Sequence, residues 1–491
     1  MSYLSASTTL RQQTARQSGI AGLIVLFASI AFLADLFWLM KAGQLFMLQL
    51  PILALCFGIV LIYGMGYVMN PPAWLILALF SLVYLAQDVT FKNPQGGGDL
   101  QTIIKGGLAF ALMALSLYTG LKPAWRSPVL RIWLAYAIFA MCSAVYSSMV
   151  ILAIGSGIAL LAVALASARI SEKTEHLQWT WQSVYWGSLL VAIGSLLLMG
   201  ISSSMARDIS DATGYRLRGI TGSANALGPM VGIGLLTVPL MLKLASTPTR
   251  RWLFIGSALV LIATLALARS RSSIIGVLGG FVIVFAITRR HTIWSILIGL
   301  LTASLALIVV AQPRAINALL GSLTKLISRS GDVAELTTFT GRADIWQASW
   351  RLIENKPWIG YGLGSIRIEL PKVFQDEWGN IYTTAHNFLL ESLISVGIVG
   401  TTLLLICFVW STIGLTRKIR QQATAGTDSA ITAIQITALR CLVFLWLYAM
   451  MEKAFAGTVS PVTVVLGLCI ATFSHARAAP APSTKAARAS S

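Results

Sequence analysis

Long runs without a single charge constrain this chain more than any motif in it. Residues 19–34, 106–121 and 253–268 contain no Asp, Glu, Lys or Arg. With their uncharged flanks, such runs reach the roughly 17 to 25 residues a helix needs to cross a bilayer. The whole chain repeats the pattern: of 491 residues, 56% are hydrophobic and only 11% charged, against about 25% charged in soluble domains. Mean hydropathy is +0.78. The alternation that marks membrane barrel strands is absent, so the spans are expected to be helices, which satisfy their own backbone groups in lipid. The expected fold class is all-α integral membrane, with about 12–14 transmembrane helices. A division is expected within 130–169, where Tyr146, Ser147 and Ser148 interrupt a long stretch. Arg11 and Arg16 precede a run, through Met40, that is too long for a signal-peptide core and lacks a cleavage site; it reads as a retained first span.

A net charge of +19 suggests nucleic acid until the charges are placed. Lys and Arg cluster in short loops between apolar runs, which is the topology bias of membrane proteins. An even span count puts both termini on one side. Assigning that side to the cytoplasm gathers there Lys122, Arg126 and Arg131, then Arg169 and Lys173, Arg250 and Arg251, Arg289 and Arg290, and Arg417, Lys418 and Arg420. Membrane lipids are therefore the expected surroundings, and no nucleic-acid partner is expected. The opposite side holds 88–105, 202–223, the short turn 269–273, and the longest polar segment, about 312–386. This last segment carries Trp346, Trp350, Trp358 and Trp378 and a helical pattern at about 341–353, so it reads as a structured cap. The expected organisation is an N-terminal bundle at 1–311, the large loop at 312–386, C-terminal transmembrane helices at 387–475, and a flexible tail rich in Ala, Pro and Ser at 476–491. Cys56, Cys142, Cys407, Cys441 and Cys469 all fall in apolar runs without paired spacing and read as packing residues.

The chemistry is expected where the topology bias is broken. The external side should be poor in arginine, yet it carries Arg207, Arg216, Arg218, Arg269, Arg271, Arg314, Arg329, Arg342, Arg351 and Arg367. Arg269 and Arg271 stand between two spans with almost no loop, where a basic pair at the membrane edge needs a partner. An anion at headgroup depth fits, because a guanidinium offers a planar fork of donors to phosphate. Arg216 and Arg218 repeat the arrangement before another span. Ordinary lipid phosphates would satisfy the same pairs. Of four histidines, the topology places His176, His291 and His475 on the cytoplasmic side and leaves His386 alone outside. His386 lies at the junction of the large loop and the next span, and imidazole suits proton transfer near neutral pH. The external carboxylates are scattered and form no metal-ligand cluster, so neither a metal nor another cofactor is expected.

These residues match a known pattern. His386-Asn387, nine residues, Gly397, two residues and Gly400 resemble the histidine-glycine motif of the O-antigen ligase family. Arg216-Leu217-Arg218-Gly219 with Gly222 and Asn225, the Ala268-Arg269-Ser270-Arg271-Ser272 turn, and Thr340-Gly341-Arg342 through Trp346 with Pro357, Gly360, Gly362 and Gly364 resemble three further segments of that family, in order and on one side. The resemblance implies a GT-C-like membrane protein of the bacterial inner membrane with one large, partly helical periplasmic loop. It further implies a metal-independent glycosyltransferase whose donor is a glycan on undecaprenyl pyrophosphate and whose acceptor is lipid A-core, or a growing polysaccharide. Carried over by position, Arg216 and Arg271 would bind the pyrophosphate and His386 would activate the acceptor hydroxyl. Arg218, Arg269, Arg342, Asn225 and Asn387 would assist in substrate binding. Which member of each arginine doublet is essential stays open. So does the acceptor: O-antigen ligase is the favoured expectation, with O-antigen or exopolysaccharide polymerase and protein O-oligosaccharyltransferase as alternatives. A lipid-linked oligosaccharide transporter would instead place charges along its spans, where only Asp35, Arg131, Arg440, Glu452 and Lys453 are candidates.

Overall fold

The computed structural model describes residues 127–208, 216–288, 342–375, 381–424 and 429–478. The expected spans before residue 127, the tail beyond Ala478, and His291, Arg314, Arg329 and Trp378 lie outside these residues. Within them the protein is an all-α membrane protein, and eight of its helices are long and apolar enough to cross a bilayer.

The stretch around residues 130–169 divides where its polar residues fall. Helix α1 runs Pro128–Cys142, a 3-10 turn covers Ser143–Tyr146, and α2 runs Val150–Ile170. Next come α3 (Thr174–Ile201), α4 (Ala224–Leu244), α5 (Pro248–Ala268) and α6 (Arg271–Thr288). The segment between α6 and residue 388 contributes α7 (Arg342–Asn355) and the short α8 (Ile366–Val373). A long helix α9 (Phe388–Thr424), then α10 (Ala430–Ala449) and α11 (Pro461–Ala478), complete the described chain. Local sequence sets several of these boundaries. Pro248 opens α5 beside Thr247, whose side chain accepts from the Arg250 amide at 3.3 Å, and Ser429 caps α10 through the Thr432 amide in the same way, each satisfying an orphan N–H of the first turn.

The successive helices alternate in direction. The connections at 143–149, 202–208 with 216–223, 269–270 and 450–460 therefore gather at one end with α7 and α8. Arg169, Lys173, Arg250, Arg251, Arg417, Lys418 and Arg420 gather at the other. His176 and His475 also lie at that far end, where His475 meets Thr174 at 3.0 Å and the Ser171 carbonyl at 2.8 Å.

α4 is the central helix, with 72% of its span buried, whereas α6 buries 28%. Lipid supplies no hydrophobic drive between helices, so packing and interhelical hydrogen bonds hold the bundle, each bond contributing about 0.6 kcal/mol on average. Trp446 stacks on Phe408 at 4.1 Å between centroids and donates to Thr412 at 3.2 Å. Tyr185 bonds Ser257 across α3 and α5. Arg440, halfway along α10, sits over the Phe281 ring at 5.4 Å. Cys407, Cys441 and Cys469 are buried as packing residues, but Cys142 is exposed: it ends α1, where the helix gives way to the connecting turn.

α9 is broken. Gly397 has φ 62° and ψ −169° inside it, a region that only glycine enters without strain. The amides and carbonyls released at the break pair with residues 357–362: Tyr361 N–H donates to Ile394 O (2.7 Å), Gly362 N–H to Ser395 O (2.8 Å), Ile398 N–H to Pro357 O (2.8 Å) and Val399 N–H to Trp358 O (3.2 Å). The segment that carries α7 and α8 is thus sewn into the helix. Serines fasten it on the other side as well. Leu363 N–H donates to Ser143 Oγ at 3.0 Å, and Ser147 Oγ meets Ser365 Oγ at 2.9 Å.

Candidate active site

Glu452, in the connection between α10 and α11, holds side chains from three other segments and reaches a fourth through one of them. Its Oε2 lies 3.1 Å from His386 Nδ1. Its Oε1 accepts from Arg342 Nη2 at 3.1 Å and from Asn225 Nδ2 at 3.2 Å. Asn225 Oδ1 in turn accepts from Arg216 Nη2 at 2.7 Å, and Arg216 Nε donates to the Ala268 carbonyl at 3.3 Å. One continuous network therefore runs from the end of α5, through the start of α4, to the histidine.

Each member is set by its local backbone. Arg216 belongs to a two-residue antiparallel pairing, Arg207↔Leu217 and Asp208↔Arg216, which turns its side chain inward to 7% exposure. Asn225 lies in the first turn of α4, where Tyr448 Oη donates to its carbonyl at 3.1 Å. Arg342 opens α7 and donates also to the Met451 carbonyl, so it grips the Glu452 segment at two points. His386 stands just before α9 at φ 49°, a left-handed conformation that costs a side-chain-bearing residue about 1–2 kcal/mol.

Burial raises the proton affinity of the Glu452 carboxyl, but the hydrogen bond and charge of His386 and the Arg342 guanidinium outweigh it, and the net direction is below the ordinary carboxylate value. An ionised carboxylate only accepts, so Nδ1 of His386 donates and carries the ring hydrogen. Nε2 is then the basic atom, free to take a proton from a substrate. This is the base-and-orienter arrangement that general-base catalysis requires.

The structure brings Arg216, Asn225, Arg342 and His386 together as one cluster. Arg269 and Arg271 flank Ser270, directly after the Ala268 carbonyl that Arg216 holds; Arg269 is exposed with φ 47°, and Arg271 begins α6 half-buried. Arg218 is half-buried beside Arg216, and its amide donates to Ala206 O at 2.8 Å. Asn387 is turned to a local task. Its Oδ1 accepts from the Leu389 and Leu390 amides at 2.9 and 3.3 Å, capping α9, while its Nδ2 donates to Met450 O at 3.1 Å. The residue that sequence reasoning did not place in the site is Glu452. Its signal was a carboxylate at the end of a span, 66 positions from the histidine it orients. Among the described residues no three of His, Cys, Asp and Glu gather as a metal site.

Residues 256–405 match the family model described as O-antigen ligase. That stretch holds Arg269, Arg271, Arg342, His386 and Gly397, while Arg216, Asn225 and Glu452 lie outside it. A comparison with curated proteins finds no match.

Proposed function

Since the chain belongs to the O-antigen ligase and polymerase superfamily through residues 256–405, we propose that it is an O-antigen ligase. In this reading it moves a glycan from undecaprenyl pyrophosphate to a hydroxyl of lipid A-core at the periplasmic face of the bacterial inner membrane. The observation that carries the reading is the Glu452–His386 pair, set at the same end of the bundle as the Arg216 and Arg271 segments. The acceptor oxygen attacks the anomeric carbon of the donor sugar. The bond from that carbon to the pyrophosphate oxygen breaks, the acceptor proton passes to Nε2 of His386, and undecaprenyl pyrophosphate leaves. Arg271 and Arg216, with Arg218 and Arg269 beside them, stabilise the charge on the departing pyrophosphate. Arg216 is already fixed by Asn225 and the Ala268 carbonyl, so it reorganises little as that charge develops. Arg342 keeps the Glu452 segment in register with the histidine.

The test is transfer of a lipid-linked glycan to purified lipid A-core in detergent with EDTA present, comparing the parent protein with His386→Ala and Arg271→Ala. Transfer that both substitutions abolish at normal membrane insertion supports the ligase. Elongation of the donor glycan without transfer to lipid A-core assigns the same site to a polymerase, which differs only in acceptor. Absence of both activities in the parent protein, with no transfer to a protein hydroxyl either, overturns the glycosyltransferase reading.

A further inference from the structure

A second carboxylate lies behind the histidine, and the mechanism above does not use it. Glu391 sits in the first turn of α9 at 3% exposure. An acidic residue there normally faces water and complements the helix dipole, whereas a buried one needs a specific partner. Its partner is the main chain immediately before His386: Oε2 accepts from the Ala385 amide at 3.0 Å. The other half of the same residue is held too, because Trp346 Nε1 donates to the Ala385 carbonyl at 3.0 Å. The His386 amide then donates to Thr384 Oγ1 at 3.2 Å. On its far side, Oε1 faces the loop that bears Glu452; a Cβ added at Gly457 would stand 3.2 Å from it. The charged groups facing the carboxylate are Lys453, His386 and Arg367.

These contacts hold a backbone that would otherwise relax. His386 is in the left-handed region, where a residue with a side chain persists only if its surroundings determine it. We infer that Glu391 is a positioning residue, holding the peptide before His386 so that the imidazole meets Glu452. The inference rests on the proposed role of His386 but concerns a different group: one carboxylate sets the ring, the other sets the backbone that carries the ring.

The hydrogen bond is the element that matters, so an amide that still accepts should substitute for the acid. Glu391→Gln is expected to keep kcat within about threefold of the parent, whereas Glu391→Ala should lower kcat by about 100-fold, the scale of a 1 Å misplacement. The donor KM should stay within about twofold in both, because no substrate contact is removed. An activity-independent readout runs alongside. With histidine-selective 15N labelling of the four histidines and assignment by His386→Ala, the hydrogen-bonded Nδ1–H signal of His386 should persist in Glu391→Gln and vanish in Glu391→Ala, with the protein still folded. Parent-like kcat or an unchanged His386 signal in Glu391→Ala would overturn the inference. An equal loss in both variants that merely tracks the folded fraction would also overturn it. If the parent protein transfers no glycan, the functional reading fails, and the His386 signal still decides whether Glu391 positions the ring.

Discussion

Replacing Glu452 separates the stability of the site from its chemistry. Its side chain is 9% exposed and receives Arg342, Asn225 and His386 at 3.1, 3.2 and 3.1 Å. Glu452→Ala removes all three contacts at once and leaves the Arg342 charge, 18% exposed, without its counter-ion. Breaking a buried ion pair from one side costs about 3–5 kcal/mol, so the alanine variant should unfold at clearly lower temperature in detergent. Glu452→Gln behaves differently. Oε1 takes two donors and Oε2 one, so the amide oxygen settles at the Oε1 position and the amide nitrogen faces His386. A nitrogen donor there forces Nδ1 to accept, which moves the ring hydrogen to Nε2 and removes the basic atom. Glu452→Gln keeps the acceptor for Arg342 and Asn225 but not the counter-charge, so it should lose less stability than Glu452→Ala while transfer falls on the order of 10²- to 10⁴-fold, the range from loss of a general base to a reversed tautomer. Thermal unfolding and single-turnover transfer on the same preparations measure both quantities. Parent-level transfer in Glu452→Gln, or parent-level stability in Glu452→Ala, would refute the reasoning.

Other outcomes follow from the same geometry. The Glu452 carboxyl lies below its ordinary value of 4.5 when folded. Its contribution is complete above that ordinary value and disappears as pH falls through the lower folded value. The unfolding temperature should thus begin to drop as pH falls through the ordinary carboxylate value of 4.5 and continue below it, and the drop should be shallower in Glu452→Gln. Gly397→Ala would set a methyl 2.3 Å from the Trp358 carbonyl; backbone strain and overpacking together should cost about 2–6 kcal/mol, and a variant that melts like the parent would count against the described break. Arg342→Lys keeps the charge but cannot fork between Met451 O and Glu452. A stability loss of about 1–3 kcal/mol by thermal unfolding is expected, smaller than that of Arg342→Ala.

What the sequence revealed followed from chemistry that is scarce along the chain. Apolar runs made the helices legible, and Ser147 and Ser148 marked the division between α1 and α2. His386 stood out because the topology left no other histidine on its side. Arg216 and Arg271 stood out because cations oppose the topology bias there. What stayed hidden depended on contacts between distant segments. Glu452 read as one charge at the end of a span because nothing local reports that His386, Arg342 and Asn225 converge on it. Asn387, expected from its motif to assist in substrate binding, also caps α9 through its side-chain oxygen, a contact the motif does not report. Nothing in the sequence separates Glu391 from an ordinary first-turn acid; its burial does. The motif glycine Gly397 was recognisable by spacing, but its reason lay in the 357–362 strand of backbone that presses against it.

That seam also limits how substrates reach the histidine. Lifting residues 357–362 away from α9 would orphan four backbone hydrogen bonds at a break with no helical partners to replace them. In a lipid-facing setting each stranded group costs several kcal/mol. The seam on this side of His386 is therefore a fixed wall and not a door. A lipid-borne sugar and its acceptor must arrive around it, sideways out of the bilayer or from the open water above, and a crosslink between residues 359 and 395 should leave turnover intact.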